Sequence, residues 1–72
     1  MHRVLLSDEI KKGEYSIYSE SYEVRFWKPI ENGYWEQDDV IYYTQHKNSN
    51  PDVEKRFLSE YPSCKIISIT YQ

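Results

Sequence analysis

Residues 48–71 read NSNPDVEKRFLSEYPSCKIISITY, and this one stretch carries a helix start, a helix stop and a strand. Asn50 suits the N-cap, Pro51 the first helical position, where no N–H is needed, and Asp52 the first turn, where its charge complements the helix dipole. Pro62 ends the run, so the spacing predicts a helix over about 51–61. Within it Val53, Phe57 and Tyr61 recur every four residues with Leu58 alongside, one narrow apolar stripe, while Asp52 and Arg56 sit four apart on the outer side. KIISITY then places Ile67, Ile69 and Tyr71 on one face and Ile66, Ser68 and Thr70 on the other, a period of two that predicts a strand over 65–71. A helix with one apolar stripe must bury it against another layer, and the strand beside it supplies the first piece of a sheet.

Upstream, YEVRFWKPIENGYW (22–35) has the pattern of a hairpin. Tyr22, Val24 and Phe26 alternate with Glu23, Arg25 and Trp27, Pro29 interrupts, and Asn32-Gly33 is a strong two-residue turn signal. A second strand follows over 39–44. Its faces are ambiguous, because Val40 and Tyr42 alternate with Ile41 and Tyr43 and all four suit a buried surface. A two-residue turn at Asn32-Gly33 would set Val24 opposite Ile41 and Tyr22 opposite Tyr43. In the first twenty residues Val4–Leu6 reads as a short strand, SDEIKKG (7–13) as one helical turn between Ser7 and Gly13, and Tyr15–Ser19 as a further strand or a lead into the hairpin. HKNSN (46–50) is the one segment expected to be a flexible connection. The assembly is a single α+β domain over 1–72, an antiparallel-rich sheet of three or four strands with the 51–61 helix on one face. The other face should carry aromatics that no helix covers.

Composition agrees. The chain has no Ala, and its apolar residues are large: seven Ile, four Val, three Leu and twelve aromatics, which favours strands over a helical bundle. Seventy-two residues bury a modest core, so this aromatic set must be shared between interior and surface. The lone Cys64 has no disulfide partner within the chain, which points to a reducing cytoplasm, and no run approaches the length of a signal-peptide core or a membrane span.

The chemistry-bearing residues form no catalytic or metal-binding pattern. Cys64 and His46 are the only thinkable nucleophile and base, yet Cys64 follows a helix stop, with no helix N-terminus to activate it. His2, His46, Cys64 and Asp38-Asp39 lack metal-ligand spacing, and both glycines, Gly13 and Gly33, are explained by a cap and a turn. The expectation is no enzyme, no cofactor and no metal.

Binding is the remaining class. Residues 14–44 hold seven acids against two bases, a local balance of −5, and nine of the twelve aromatics. Tyr, Trp and Arg are the residues that anchor protein interfaces, and acids around them favour a basic partner protein. Tyr18, Trp27, Tyr34, Trp35 and Tyr42, with Glu36 and Asp38, are the candidate contact residues. The bland alternative for any one of them is core filling, since Trp and Tyr are often half-buried. Single-stranded nucleic acid is an alternative partner, because bases stack on exposed aromatics, but the local acidity would repel phosphate unless Arg25, Lys28, Lys55 and Arg56 cluster on folding. A homodimer, in which a second copy covers the exposed sheet face, is the third.

FLSEYPSCKIISITY, a helix ending in Tyr-Pro that leads within three residues to an alternating Ile strand, resembles the tail of small phage-encoded proteins with a ββαβ order. The resemblance spans the pattern of about the last 50 residues and carries no functional motif. It implies an accessory protein of the host cytoplasm that binds and inhibits or redirects a host enzyme, such as a defence or nucleic-acid-handling protein.

Overall fold

The computed structural model describes residues 3–6 and 20–72. Their order is β1 (Arg3–Leu6), β2 (Glu20–Pro29), β3 (Trp35–Thr44), α1 (Asn50–Glu60) and β4 (Lys65–Tyr71). The strands form one mixed sheet in the order β1-β3-β2-β4, with β2 antiparallel to both neighbours and β1 parallel to β3. Both β3 and β4 run antiparallel to β2, so they are parallel to each other, and α1 is the crossover that carries the chain across β2 to its far side. The helix therefore lies over the central strands. The expected α+β sheet with one helix on one face is the observed architecture. The segments read as a helical turn at 7–13 and a strand at 15–19 lie outside the described residues.

The core follows from the alternation of β2 and β3. Tyr22, Val24 and Phe26 of β2 and Val40, Tyr42 and Thr44 of β3 are buried beneath Val53 and Phe57 of α1. Burying each such Val or Phe side chain contributes about 1.5–3 kcal/mol. Phe26 and Phe57 meet with ring centroids 4.9 Å apart, and Phe57 and Tyr61 at 5.2 Å, which locks the helix onto the sheet by aromatic packing.

The hairpin register differs by one residue from the expectation. Val24 faces Val40 and Tyr22 faces Tyr42, with Pro29 and Trp35 the last pair. Residues 30–34 form the loop, one 3-10 turn over Glu31–Gly33 closed by the Ile30 N–H donating to the Tyr34 carbonyl at 2.9 Å. Asn32 and Gly33 do take left-handed φ values, 65° and 77°, as the Asn-Gly signal requires, but inside a longer loop that extends the pairing to Pro29. A one-residue shift reverses every side chain of a strand, so it is Val40, Tyr42 and Thr44 that face the helix and Ile41 and Tyr43 that face away.

Three smaller expectations are also revised. Ser49, not Asn50, is the N-cap of α1: its hydroxyl accepts the Asp52 N–H, while the Asn50 amide reaches across to the Ile69 carbonyl at 3.2 Å. In β4 the strict alternation is broken by a bulge where Arg25/Phe26 of β2 meets residues 66–68, so Ile66 joins Ile69 against the core instead of facing away. The 46–50 connection is pinned. The Tyr22 hydroxyl holds Asn48 at both its N–H and its C=O, Thr44 Oγ1 donates to the His46 carbonyl at 2.6 Å, and Asn48 Nδ2 donates to the same carbonyl at 2.9 Å.

Candidate functional site

The end of the β2–β3 hairpin overhangs the rest of the sheet. β4 pairs β2 only as far as Trp27, and β1 pairs β3 only from Val40 onward, so residues 28–39 outrun one or both neighbours among the described residues. Ten-residue strands on either side of a short loop are what carry it out.

Alternation sorts this end into two surfaces. On the face away from the helix, Trp27 and Trp35 share a shallow notch with Lys65, whose ammonium stands 4.6 Å from the Trp35 ring centroid. Trp27 is 40% and Trp35 42% exposed, so both indoles are half in water. Farther along the same face Arg25 and Glu23 pair at 3.8 Å, and Ile41, Tyr43 and Leu6 are half-buried. No helix among the described residues covers this face.

The helix-side surface of the hairpin end carries Glu36 and Asp38, while Asp39 is turned the other way, opposite Arg25. Lys28 sits opposite Glu36 and between two carboxylates, at 3.2 Å from Asp38 and 3.9 Å from Glu36. Asp38 also accepts the Asp39 backbone N–H at 2.8 Å, which fixes its carboxylate. Tyr34, in the loop between the surfaces, is 68% exposed, the most exposed large apolar side chain described.

The structure thus brings together Trp27 and Trp35 in one cluster and Glu36 and Asp38 in another, back to back across the hairpin, with Tyr34 at the tip. Tyr42 belongs to neither. It is 2% exposed in the core, because the register that turned Ile41 outward turned Tyr42 inward. Tyr18 lies outside the described residues. Lys65 was missed in sequence reasoning; thirty positions from Trp35 and thirty-eight from Trp27, it offered no local signal, and only the β2–β4 pairing of Trp27 with Lys65 places it.

Cys64 is half-buried, and burial foremost pushes its thiol up, with Lys28 pulling it down and Asp38 adding to the rise. A raised thiol is a poor nucleophile near neutrality. The Tyr71 phenol is also raised, chiefly by its hydrogen bond to Glu20, and Lys47 lies 4.5 Å over its ring. Among the described residues no three His, Cys, Asp or Glu side chains converge on a metal-binding position, and no helix is long and apolar enough to cross a membrane. No family model, no curated protein and no solved structure matches this chain.

Proposed function

We propose that the chain is a non-enzymatic protein-binding module whose docking element is the overhanging end of the β2–β3 hairpin. The observation that carries this reading is the exposure of Tyr34 and Trp35 on a segment that projects past its neighbouring strands, with the exposed Trp27 at its base where β4 ends. Half-exposed aromatics held on rigid strands are the groups that bury most area at least entropic cost when a partner arrives. Glu31 in the loop, and Glu36 and Asp38 on the opposite surface of the same hairpin end, favour a partner with a basic surface. In the manner of the small phage-encoded proteins that its C-terminal part resembles, the partner would be a host defence or nucleic-acid-handling protein, and occlusion of its basic surface the mode of action.

The test is affinity capture from source-cell lysate in the presence of nuclease, with wild type beside a Tyr34→Ala, Trp35→Ala variant shown to be folded. Stoichiometric retention of one protein by wild type and its loss with the variant is the expected result. Equal retention by both would sink the docking role of the tip.

One observation favours a second reading, single-stranded nucleic acid. Glu36 and Asp38 are turned to the helix side, so Trp27 and Trp35 share their own face with Lys65 and, farther along, with Arg25, which pairs with Glu23 and faces Asp39. Stacking on two indoles beside a cation is the usual arrangement for bases and phosphate. Quenching of indole fluorescence by an oligonucleotide, lost on Lys65→Glu and weakened by salt, would support it; no quenching at low salt would end it.

A further inference from the structure

β4 is the last strand on its side of the sheet, and among the described residues no strand pairs its outer margin. Two hydrogen bonds show which backbone groups lie there. The Gln72 N–H donates inward to the Ser21 carbonyl at 3.0 Å, and the Asn50 amide reaches the Ile69 carbonyl from α1 at 3.2 Å. Successive residues of a strand point their N–H and C=O to opposite sides. Ser68, Thr70 and Gln72 therefore turn theirs to β2, and Ile67, Ile69 and Tyr71 turn theirs outward.

Such a margin is a template for another strand, and sheets commonly blunt it with a lysine or a proline. Ile66–Tyr71 contains neither, nor any other charged residue, and Ile67 and Tyr71 are exposed. The devices present are milder: a bulge at residues 66–68 and the one Asn50 amide, which occupies a single lone pair of the Ile69 carbonyl.

The charges along this margin decide what adds to it. On the helix side, Lys47 stands over the Tyr71 ring at one end, and Glu54 lines the shallow groove between the start of α1 and residues 66–69 at the other. Both residues are exposed, and among the described residues neither makes an ion pair. A strand that brings an anion to Lys47 and a cation to Glu54 satisfies both. β4 itself, turned about a two-fold axis, is such a strand.

We propose that the chain forms a symmetric dimer through the outer margin of β4, the two copies antiparallel and centred on Ile69. In that register Ile69 meets Ile69 of the second copy, Tyr71 meets its Ile67 and Thr70 its Ser68. Lys47 comes beside Glu54 of the second copy, and the axis repeats that pair. A two-fold axis normal to the sheet keeps both helices on one face, joins the two sheets into one, and makes a contact that closes on itself. Outward N–H and C=O groups exchange water for inter-strand hydrogen bonds. The inference goes beyond the docking reading and leaves it untouched: β4 pairs β2 only as far as Trp27, so the dimer carries two free hairpin tips.

Sedimentation velocity of the full chain, over a concentration series reaching about 1 mM, should show one transition from monomer to dimer. Over the same series amide exchange should slow at Ile69 and Tyr71, whose N–H groups turn outward. Lys47→Glu alone and Glu54→Lys alone should each weaken the dimer at least fivefold. The double variant should return to within threefold of wild type, and a mixture of the two single variants should dimerise at least as well as wild type, results that a folding defect would not produce. Ile67→Lys, which sets a charge on the margin at an exposed position, should weaken the dimer at least tenfold with the unfolding midpoint unchanged. A chain that stays monomeric, association into species larger than a dimer, or a double variant no better than the single ones would each overturn the proposal. So would a dimer in which Ile69 and Tyr71 exchange as in the monomer while signals shift at Ile41 and Tyr43, which would place the contact on the open sheet face.

Discussion

The phenol of Tyr22 and the backbone of Asn48, twenty-six positions apart, share two hydrogen bonds: the hydroxyl donates to the Asn48 carbonyl at 3.0 Å and accepts its N–H at 2.6 Å. A fully buried side chain of the central strand thereby fixes the connection that leads into α1. Tyr22→Phe keeps the ring and removes both bonds, leaving two partly buried backbone groups without that partner. The expected cost is about 1–3 kcal/mol in urea unfolding with the slope unchanged. A loss under about 0.5 kcal/mol would mean that water replaces the hydroxyl freely.

Phe57 is the helix residue on which the two layers depend, packed between Phe26 and Tyr61. Phe57→Ala should cost about 3–5 kcal/mol. At roughly 0.05–0.15 kcal/mol per residue the whole domain has only about 4–11 kcal/mol to lose, so the variant should be largely unfolded at 37 °C by circular dichroism. Retention of most of the wild-type stability would show that the layers close over the gap.

The hairpin loop makes a cleaner prediction, because a Cβ on Gly33 would meet nothing within 4 Å. Any effect of Gly33→Ala must come from its φ of 77°, and about 1–2 kcal/mol is expected for holding an L-residue there. Asn32→Gly, at φ 65°, should be nearly neutral. Equal costs for the two would place the strain elsewhere in the loop.

Alkaline pH should destabilise the fold through Cys64. Its thiol is raised in the folded state, so the stability it contributes is complete below the unfolded value of about 9 and is lost as pH rises through the higher folded value. Unfolding midpoints measured from pH 7 to 11 should fall above pH 9, and the fall should be shallower in Cys64→Ala. Near neutrality, alkylation of Cys64 should be slower than that of a free cysteine. Faster alkylation would contradict the burial assigned to it.

At the tip, substitution should separate binding from folding. Trp35→Ala removes a half-exposed ring, and a stability change within about 1 kcal/mol is expected, including its exposed contact with Lys65. Affinity for a captured partner should fall by about 2 kcal/mol or more, roughly thirtyfold. A large loss of stability with affinity intact would make Trp35 a structural residue.

Much of this was legible in the chain. Pro51, Asp52 and Pro62 marked the helix within a residue at each end, Val53 and Phe57 marked its buried stripe, and KIISITY and the hairpin strands announced themselves by alternation. The N-cap was displaced by one residue because Ser49 and Asn50 are both good caps, and only the reach of Asn50 to Ile69 shows which was spared for other work. Trp27, Tyr34 and Trp35 were singled out as candidate contact residues with core filling as the alternative, and all three are exposed; Tyr42, singled out with them, is core.

What the sequence by itself determined was the set of elements and their order, because caps, prolines and periodicity act over four or five neighbouring residues. What only the tertiary structure decided was which side of each strand meets the helix. Val40-Ile41-Tyr42-Tyr43 is apolar on both faces, so its pattern cannot choose, and the choice fell to a loop of five residues in place of two. A single residue of register moved Tyr42 inward and set Glu36 and Asp38 on the surface opposite Trp27 and Trp35, since side chains of a strand alternate with a period of two and a slip of one reverses them all.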